Sequence, residues 1–300
     1  MIRKLRLLIK QCIICLLGTR VNIIDDAKYN SLIYRVIFGR WLDLDHPKTF
    51  NEHIIRRKVY LDEYELWMYT DKYEVRKYVE QTVGLQYLNP LIGIYDSFDA
   101  IDFSALPERF ALKGTHGSGY NIVVPDKNKL NKKAARRKFS RWLSENYYFK
   151  SREKNYFRIK PRIMCDAYID APTGFGLPEF KVFCFNGIPR IVAYNMTKDG
   201  RTFTNTYTAD GKLIDVKKGY ERIPNAELPG NFDELIDIAR VLAQPFPFVR
   251  VDLYNVDGRI IFSELTFHSG GGFVPFTPQE YDVEFGHFFD DVPMIGINMQ

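Results

Sequence analysis

Three dipeptides in the second half of the chain limit its fold more than any other feature. Asn186-Gly187, Asp210-Gly211 and Asp257-Gly258 each interrupt a run rich in β-branched and aromatic residues. Asn-Gly and Asp-Gly favour the left-handed backbone angles of tight hairpin turns. The runs around them, FKVFCFNGIPRIVAYN, NTYTADGKLIDV and FVRVDLYNVDGRIIFSEL, therefore predict antiparallel hairpins. A doubly wound parallel sheet needs a helix between successive strands, and that even alternation is absent. Helical patterns dominate the first half instead. KTFNEHIIRRKVY opens with Thr49 as N-cap, and Glu52 three residues on completes a capping box. In TDKYEVRKYVEQTVG, Val75, Tyr78, Val79, Thr82 and Val83 recur at helical spacing, with Gly84 expected as the residue just past the end. Lys72 then falls in the first turn, where a cation opposes the helix dipole. NFDELIDIARVLAQ puts Leu235, Ile238, Ala239 and Leu242 on one face. The expected class is α+β with largely antiparallel sheets.

A content of 46% hydrophobic residues over 300 positions supports a sizeable core and excludes a disordered chain. Charge is uneven. Residues 1–40 carry eight Lys and Arg against Asp25 and Asp26, a balance of +6, so the rest of a chain of net +5 sums to −1. Within that rest, residues 127–162 hold fourteen Lys and Arg against Glu145 and Glu153, or +12. Such asymmetry fits an anionic partner or a solvated helix face. The opening MIRKLRLLIKQCIICLLGTR joins a basic start to an apolar centre. Its run from Cys12 to Leu17 is far short of the roughly 20 residues of a spanning helix. Lys10 and Gln11 break the apolar region a signal peptide needs, and no small-residue cleavage site follows. The stretch reads as an amphipathic helix on an anionic membrane face, or as an ordinary first helix. Cys12 and Cys15 form a C-x-x-C without a second pair or nearby histidine, so no metal or redox site is expected there. Cys165 and Cys184 lie in apolar strand-like runs as buried thiols, the usage of a reducing compartment.

Two groups of residues carry chemistry. In FALKGTHGSGYNIVV a strand ends on Lys113, a glycine-rich hexapeptide follows, and a second strand begins. The loop is a plain hairpin turn or a cradle of backbone N–H groups for phosphate oxygens. It lacks the ending of a Walker loop, opens no helix as a Rossmann fingerprint would, and has His116 where a nucleophile elbow needs glycine. Asp252 and Glu264, on the strands around Asp257-Gly258, form the second group. A hard divalent cation takes rigidly held oxygen ligands. A two-residue loop pairs 252 with 263 and sets the acids on opposite faces. A three-residue loop, Val256-Asp257-Gly258, pairs 252 with 262 and makes Glu264 a diagonal neighbour on the same face. The pair is a metal site in the second case, or else a solvated rim.

Taken in order, several pieces resemble the ATP-grasp superfamily: Lys72 after Thr-Asp, Lys113 before the glycine loop, the strand IMCDAYI, and the acid pair twelve residues apart. More closely, HPKTFNE, TDKYEVRKYV, LPERFALKGTHGSG, IKPRI, FKVFCFNG, FPFVRVDLY and FSELTF are similar to the TupA-like ATP-grasp family, named for a protein of teichuronopeptide synthesis and found with cell-surface polysaccharide genes. The resemblance covers about residues 30–290. It implies an ATP-grasp fold: two α+β subdomains with largely antiparallel sheets gripping ATP, behind a basic helical arm at 1–45. Within 46–290 it implies an N-terminal subdomain at 46–110, a lid and ATP-binding subdomain at 111–175, and a metal-binding subdomain at 176–290. Lys72 and Lys113 would contact ATP phosphates beneath a lid of His116, Gly117, Ser118 and Gly119. Asp166, Tyr168 and Ile169 would belong to the hinge that reads adenine and ribose. Asp252, Glu264 and Thr266 would hold Mg²⁺, with Mn²⁺ as the alternative. Lys181 would face phosphate or acceptor, and Arg250 and His268 would stabilise an acyl phosphate or a tetrahedral intermediate. Three positions depart from the family pattern: Asp166-Ala167 replaces two glutamates, Thr266 replaces an asparagine ligand, and HSGGGF carries histidine where an aromatic and a proline are usual.

The implied activity is an ATP-dependent ligase that activates a carboxylate as acyl phosphate and transfers it to an amine or amino acid. The implied acceptor is an anionic glycan or lipid-linked sugar bearing a uronic acid or peptide, met in the cytoplasm or at the inner face of the plasma membrane. Asp43-x-Asp45 could instead hold a metal–diphosphate, which keeps a nucleotide-sugar glycosyltransferase as an alternative, beside an ATP-grasp kinase and an inactive glycan-binding scaffold. The basic segments match no nucleic-acid module, so no nucleic acid is expected. Deleting residues 1–20 should release the protein from anionic vesicles in a sedimentation assay. Unchanged binding would leave the arm a structural helix only.

Overall fold

A computed structural model describes residues 24–172, 176–223 and 226–295, with isolated positions before residue 24. Those positions, Arg6, Leu8, Ile9, Gln11, Cys12 and Leu16, are helical and exposed. The rest of the basic arm, Cys15 included, lies outside the described residues, and with it most of the amphipathic-helix expectation.

Two antiparallel sheets organise the chain. Strands β1 (Leu91–Tyr95), β2 (Phe110–Gly114), β3 (Asn121–Val124) and β4 (Ile163–Ala167) form a sheet in the order β1-β4-β2-β3. The larger sheet takes β5 (Glu179–Phe185), β6 (Ile188–Lys198), β7 (Arg201–Thr208) and β8 (Leu213–Ile214). A short β9 (Lys217–Lys218) stands apart, and β10 (Phe248–Val256) and β11 (Arg259–Thr266) complete the larger sheet in the order β11-β10-β5-β6-β7-β8. β12 (Phe276–Thr277) pairs with β9. Two of the three dipeptides take the left-handed angles expected, whereas at Asp210-Gly211 only the glycine does, at φ 82°, in a longer loop between Tyr207 and Leu213. Asn186 and Gly187 take φ of 49° and 73°, and Asp257 and Gly258 take 51° and 80°, so both turns are left-handed throughout. Asp199-Gly200 closes β6 onto β7 in the same way, at 50° and 70°, a hairpin not anticipated from the sequence. The division expected at 110/111 falls inside β2, and β1 pairs with β4, so the smaller sheet reaches back before that boundary.

Helix α1 (Asp26–Phe38) packs on Ile55 and Phe273, while α2 (Phe50–Tyr60), α3 (Val75–Thr82), α4 (Lys132–Leu143) and α5 (Phe232–Ala243) pack on these sheets. The capping box of α2 is formed: the Thr49 hydroxyl accepts from Glu52 N–H at 3.2 Å, and the Glu52 carboxylate accepts from Thr49 N–H at 3.1 Å. Helix α3 starts later than its periodicity suggests. Asp71 Oδ1 accepts from the N–H groups of Tyr73 (2.7 Å) and Glu74 (3.0 Å), so Lys72 sits in a turn ahead of the helix and the dipole conflict does not arise. Gly84 has φ 106° and ψ 160°, not the left-handed helical angles of a helix-ending glycine. On α4 the six Lys and Arg face solvent while Ala135, Phe139 and Trp142 pack on Phe110, Leu112 and Ile163.

Helix α5 positions the site. Leu235, Ile238, Ala239 and Leu242 are buried against Val182, Cys184, Val192, Val249 and Val251 of the larger sheet. Side chains alternate along a strand. The same packing therefore turns Lys181, Phe183, Arg250 and Asp252 to the opposite face, toward the smaller sheet. Leu242→Ala should open a cavity under the sheet and cost about 2–5 kcal/mol, whereas Thr49→Ala should cost about 1 kcal/mol. Urea midpoints should fall in both variants and further in the first.

Candidate active site

The β10–β11 hairpin turns through two residues, which alone would set Asp252 and Glu264 on opposite faces. Its register runs from Val256↔Arg259 to Leu253↔Phe262, then shifts, and Asp252 pairs with Glu264. Ser263 is the extra residue of a β-bulge. Neither loop geometry considered from the sequence occurs alone: the bulge, rather than a longer loop, brings the acids directly opposite each other. Across β10, Asp252 also pairs with Lys181, and Arg250 pairs with Thr266 on one side and Phe183 on the other. Directly paired residues share a face, so Lys181, Asp252, Glu264, Arg250 and Thr266 form one row.

Asp252 has no exposed surface. Arg250 donates to both of its oxygens, Nε to Oδ1 and Nη2 to Oδ2, each at 2.6 Å, and Lys181 Nζ donates to Oδ2 at 2.6 Å. Lys181 also pairs with Glu179 at 2.9 Å. Arg250 Nη2 donates to Thr266 Oγ1 at 3.0 Å, and that hydroxyl donates to Glu264 Oε1 at 3.1 Å. Lys72 reaches Glu264 Oε2 at 3.2 Å. Three acids thus face three cations. Burial opposes ionisation of Glu264, but the charges of Lys72, Lys181 and Arg250 prevail and push its pKa down to about 2. Burial dominates at Glu179, whose carboxyl lies above its usual range. Burial lowers and Asp252 raises the pKa of Lys181, and the carboxylate wins.

The glycine loop joins β2 to β3 and is shaped by one ring. A Cβ on Gly117 would come within 2.5 Å of the Tyr120 ring, so only glycine lets that ring lie across the loop. His116 does not face out as a lid residue would. It is buried with Nε2 2.7 Å from the Trp142 carbonyl, which ties the loop to α4, and burial lowers its pKa. Lys72 Nζ donates to the Gly117 carbonyl at 3.4 Å as well as to Glu264, bridging loop and larger sheet. Lys113 pairs with the buried Asp166 at 2.8 Å. Tyr168 lies under the Arg109 guanidinium, 4.9 Å from its ring centre, and lines neither cavity described next.

Two cavities border the charged face of the larger sheet. The smaller, about 210 Å³, is bounded by Lys72, Lys113, Ser118, Gly119, Asp166 and Ile169, with Met164, Tyr254 and Phe262 among its apolar walls. The larger, about 600 Å³, meets Lys181, Phe183, Lys218, Arg250, Thr266 and His268. Ser118 and Glu264 belong to both. His268 is pinned in the wall, with Nε2 2.9 Å from Glu63 and Nδ1 3.5 Å from Glu153. Burial would lower its pKa, but these two acids, Glu63 foremost, raise it. Asp43 lies outside both cavities and accepts from the N–H groups of Asp45 (3.1 Å) and His46 (2.8 Å), so it closes a turn, and the metal–diphosphate expectation has no support. Sequence reasoning missed Glu179, Lys218 and Ser269. Alternation from Lys181 would have found Glu179; no local signal marks the other two.

Asp252, Glu264 and Thr266 offer only oxygen, and Asp252 Oδ1 takes a single hydrogen bond, so lone pairs remain for a hard divalent cation. Among the described residues no three His, Cys, Asp or Glu side chains converge into a metal cluster. Such a cation would complete its shell with phosphate oxygens and water. Over residues 52–290 the sequence matches the family described as TupA-like ATP-grasp, and the chain belongs to that family. Its architecture of two gripping antiparallel sheets is the ATP-grasp fold. Among solved structures, D-alanine–D-alanine ligase from Bacillus anthracis complexed with ATP is similar over 67% of this chain and 54% of that one, with 13% identity and a TM-score of 0.38. An ADP complex of N5-carboxyaminoimidazole ribonucleotide synthetase is similar over 67% and 45%, with 12% identity and a TM-score of 0.42. The ATP-grasp ligase PsnB, complexed with minimal precursor, Mg and ADP, is similar over 73% and 58%, with 9% identity and a TM-score of 0.38. The chain spans about half the length of these proteins. No curated protein matches its sequence.

The folded pKa of Glu264 lies below its unfolded value of 4.5. Its ionised form therefore adds stability that is full above about pH 4.5 and is lost as pH falls toward about 2. The stability difference between parent and Glu264→Gln should shrink across that window, read as urea midpoints against pH.

Proposed function

We propose that this chain is an ATP- and Mg²⁺-dependent carboxylate–amine ligase working through an acyl phosphate, on a precursor of a cell-surface polysaccharide. One observation carries the reading: two cavities of different character meet at Glu264 and Ser118, beside the paired acids and their cations. The smaller would take the nucleotide, with phosphates toward Lys72, Lys113, Ser118 and Gly119, and adenine beside Met164 and Ile169. Asp166 would face the ribose. Asp252, Glu264 and Thr266 would hold Mg²⁺, which supplies charge neutralisation at the transferred phosphoryl group.

In the larger cavity a substrate carboxylate oxygen attacks the γ-phosphorus and ADP leaves. Arg250 and Lys181 sit on that side, and their fixed charges stabilise the anionic acyl phosphate. An amine nitrogen then attacks the acyl carbon, gives up a proton, and the carbon–oxygen bond to phosphate breaks, leaving an amide. His268, held by Glu63 and Glu153, shapes the wall without entering these steps.

The substrate pair we infer is an amino acid and a uronic acid of an anionic, lipid-linked glycan. The larger cavity supports it, with Lys58, Lys150, Lys181, Lys218 and Arg250 against Glu153 and Glu264. Among the described residues no helix is long and apolar enough to cross a membrane, and we place the reaction in the cytoplasm at the membrane's inner face. Glu264→Gln should lower ATP turnover at least ~100-fold in a protein that still folds, as its far-ultraviolet circular dichroism should show. Full turnover would sink the metal assignment. Product analysis separates the alternatives: ADP with phosphate marks a ligase, ADP alone a kinase, UDP or GDP a transferase.

A further inference from the structure

We propose that Lys218, with Ser269 and Arg250, is a carboxylate-recognition corner of the larger cavity, set apart from the nucleotide side. The proposal rests on the ligase reading for which cavity takes the nucleotide. Lys218 comes from β9, outside the row of charges on β5, β10 and β11. Its Nζ lies 4.5 Å from the ring centres of Phe50 and Phe183 and 4.9 Å from that of Phe276. It reaches one polar side chain, Ser269 Oγ at 3.3 Å, and Arg250 Nη1 donates to the same oxygen at 3.0 Å.

The other cations of this cavity are compensated. Lys181 and Arg250 close on Asp252, Lys150 pairs with Glu145, and Lys58 donates to the Gly271 carbonyl at 2.9 Å. Among the described residues, Lys218 has no carboxylate within 4.0 Å. Asp282 and Asp252 act on it only from beyond ion-pair distance, so a cation among rings lacks a direct counter-charge, and an anion is the partner that completes it. Burial, then the charge of Arg250, hold its pKa down at about 7, while the charges of Asp282 and Asp252 and three ring faces favour the ammonium form. An anionic ligand group would tip that balance to the cation.

Position argues for a carboxylate on a carbon skeleton rather than for ATP phosphate. The corner is built on Phe183, two residues along β5 from Lys181, a step of about 6.6 Å. The cavities join instead at Glu264, level with Lys181 across Asp252, and at Ser118 of the glycine loop. Phe183, Ala193 and Phe276 give the corner an apolar floor, suited to carbon beside the charge. That carboxylate belongs either to the acyl donor or to an amino acid serving as amine donor.

The test is calorimetric titration of the full chain, with and without Mg²⁺ and a non-hydrolysable ATP analogue, using two matched pairs: D-glucuronate with D-glucuronamide, and L-alanine with L-alaninamide. The parent should bind at least one acid tenfold tighter than its amide. Preference in the first pair assigns the acyl donor, and in the second the amine donor. Lys218→Met should bring the preference within twofold while changing analogue affinity less than twofold, an outcome a purely structural lysine would not produce. Retained preference in Lys218→Met, or none in the parent for either pair, overturns the proposal. Failure of the parent to bind the analogue overturns the ligase reading instead, and the nucleotide-free titrations still decide the corner. Should Lys218→Met not fold, acetylation of Lys218 in the parent by acetic anhydride at pH 7, followed by peptide mass spectrometry, should slow at least fivefold with the preferred acid and not with its amide. Equal rates overturn the proposal.

Discussion

Asp252 is a carboxylate without exposed surface, and it is tolerable there only because Arg250 and Lys181 close on it from both sides. A lone buried charge would neutralise itself or unfold its surroundings. The arginine fork meets both oxygens at once, a geometry a lysine could not supply. Much of the larger sheet keeps these groups in register. Strand β10 must lie between β5 and β11, since one neighbour brings Lys181 and the other brings Glu264 and Thr266. Helix α5 must cover the opposite face, since alternation along β5 and β10 then turns every charge the same way.

That row also couples the two sheets. Lys72 stands ahead of α3, yet its ammonium touches both the glycine loop and Glu264. The contact that depresses the Glu264 pKa is therefore also a strut between the glycine loop and the larger sheet. His268 makes a second connection, drawing Glu63 from the N-terminal helices and Glu153 from the segment after α4 toward the larger sheet. Both links are ionic and both border the larger cavity, so its shape depends on charges contributed by distant parts of the chain.

Parts of this arrangement were readable one segment at a time. The Thr49–Glu52 box and the apolar face of α5 depend on residues three or four apart, and both formed as their spacing predicts. The Asn186-Gly187 and Asp257-Gly258 turns did the same, and Asp199-Gly200 follows the same rule. His116 shows the limit. In sequence it belongs to a glycine-rich lid; in the fold Tyr120 and the Trp142 carbonyl claim it, because α4 packs against that loop. Lys72 differs in the same way, since the Asp71 side chain ends the helix before reaching it.

From sequence alone came the antiparallel hairpins, the capped helices, the two lysines, the acid pair and the family they suggest. These rest on backbone preferences and short spacings that act within a few residues. Tertiary structure decided whether the acids would meet, because the Ser263 bulge reverses the outcome of a two-residue turn. It also decided that two cavities share Glu264, and that Lys218 stands among three rings with no carboxylate within 4.0 Å among the described residues. Those outcomes follow from strand register and from contacts between segments distant in sequence, such as Lys72 with Glu264 and Lys218 with Phe50, where burial and charge compensation outweigh local preference.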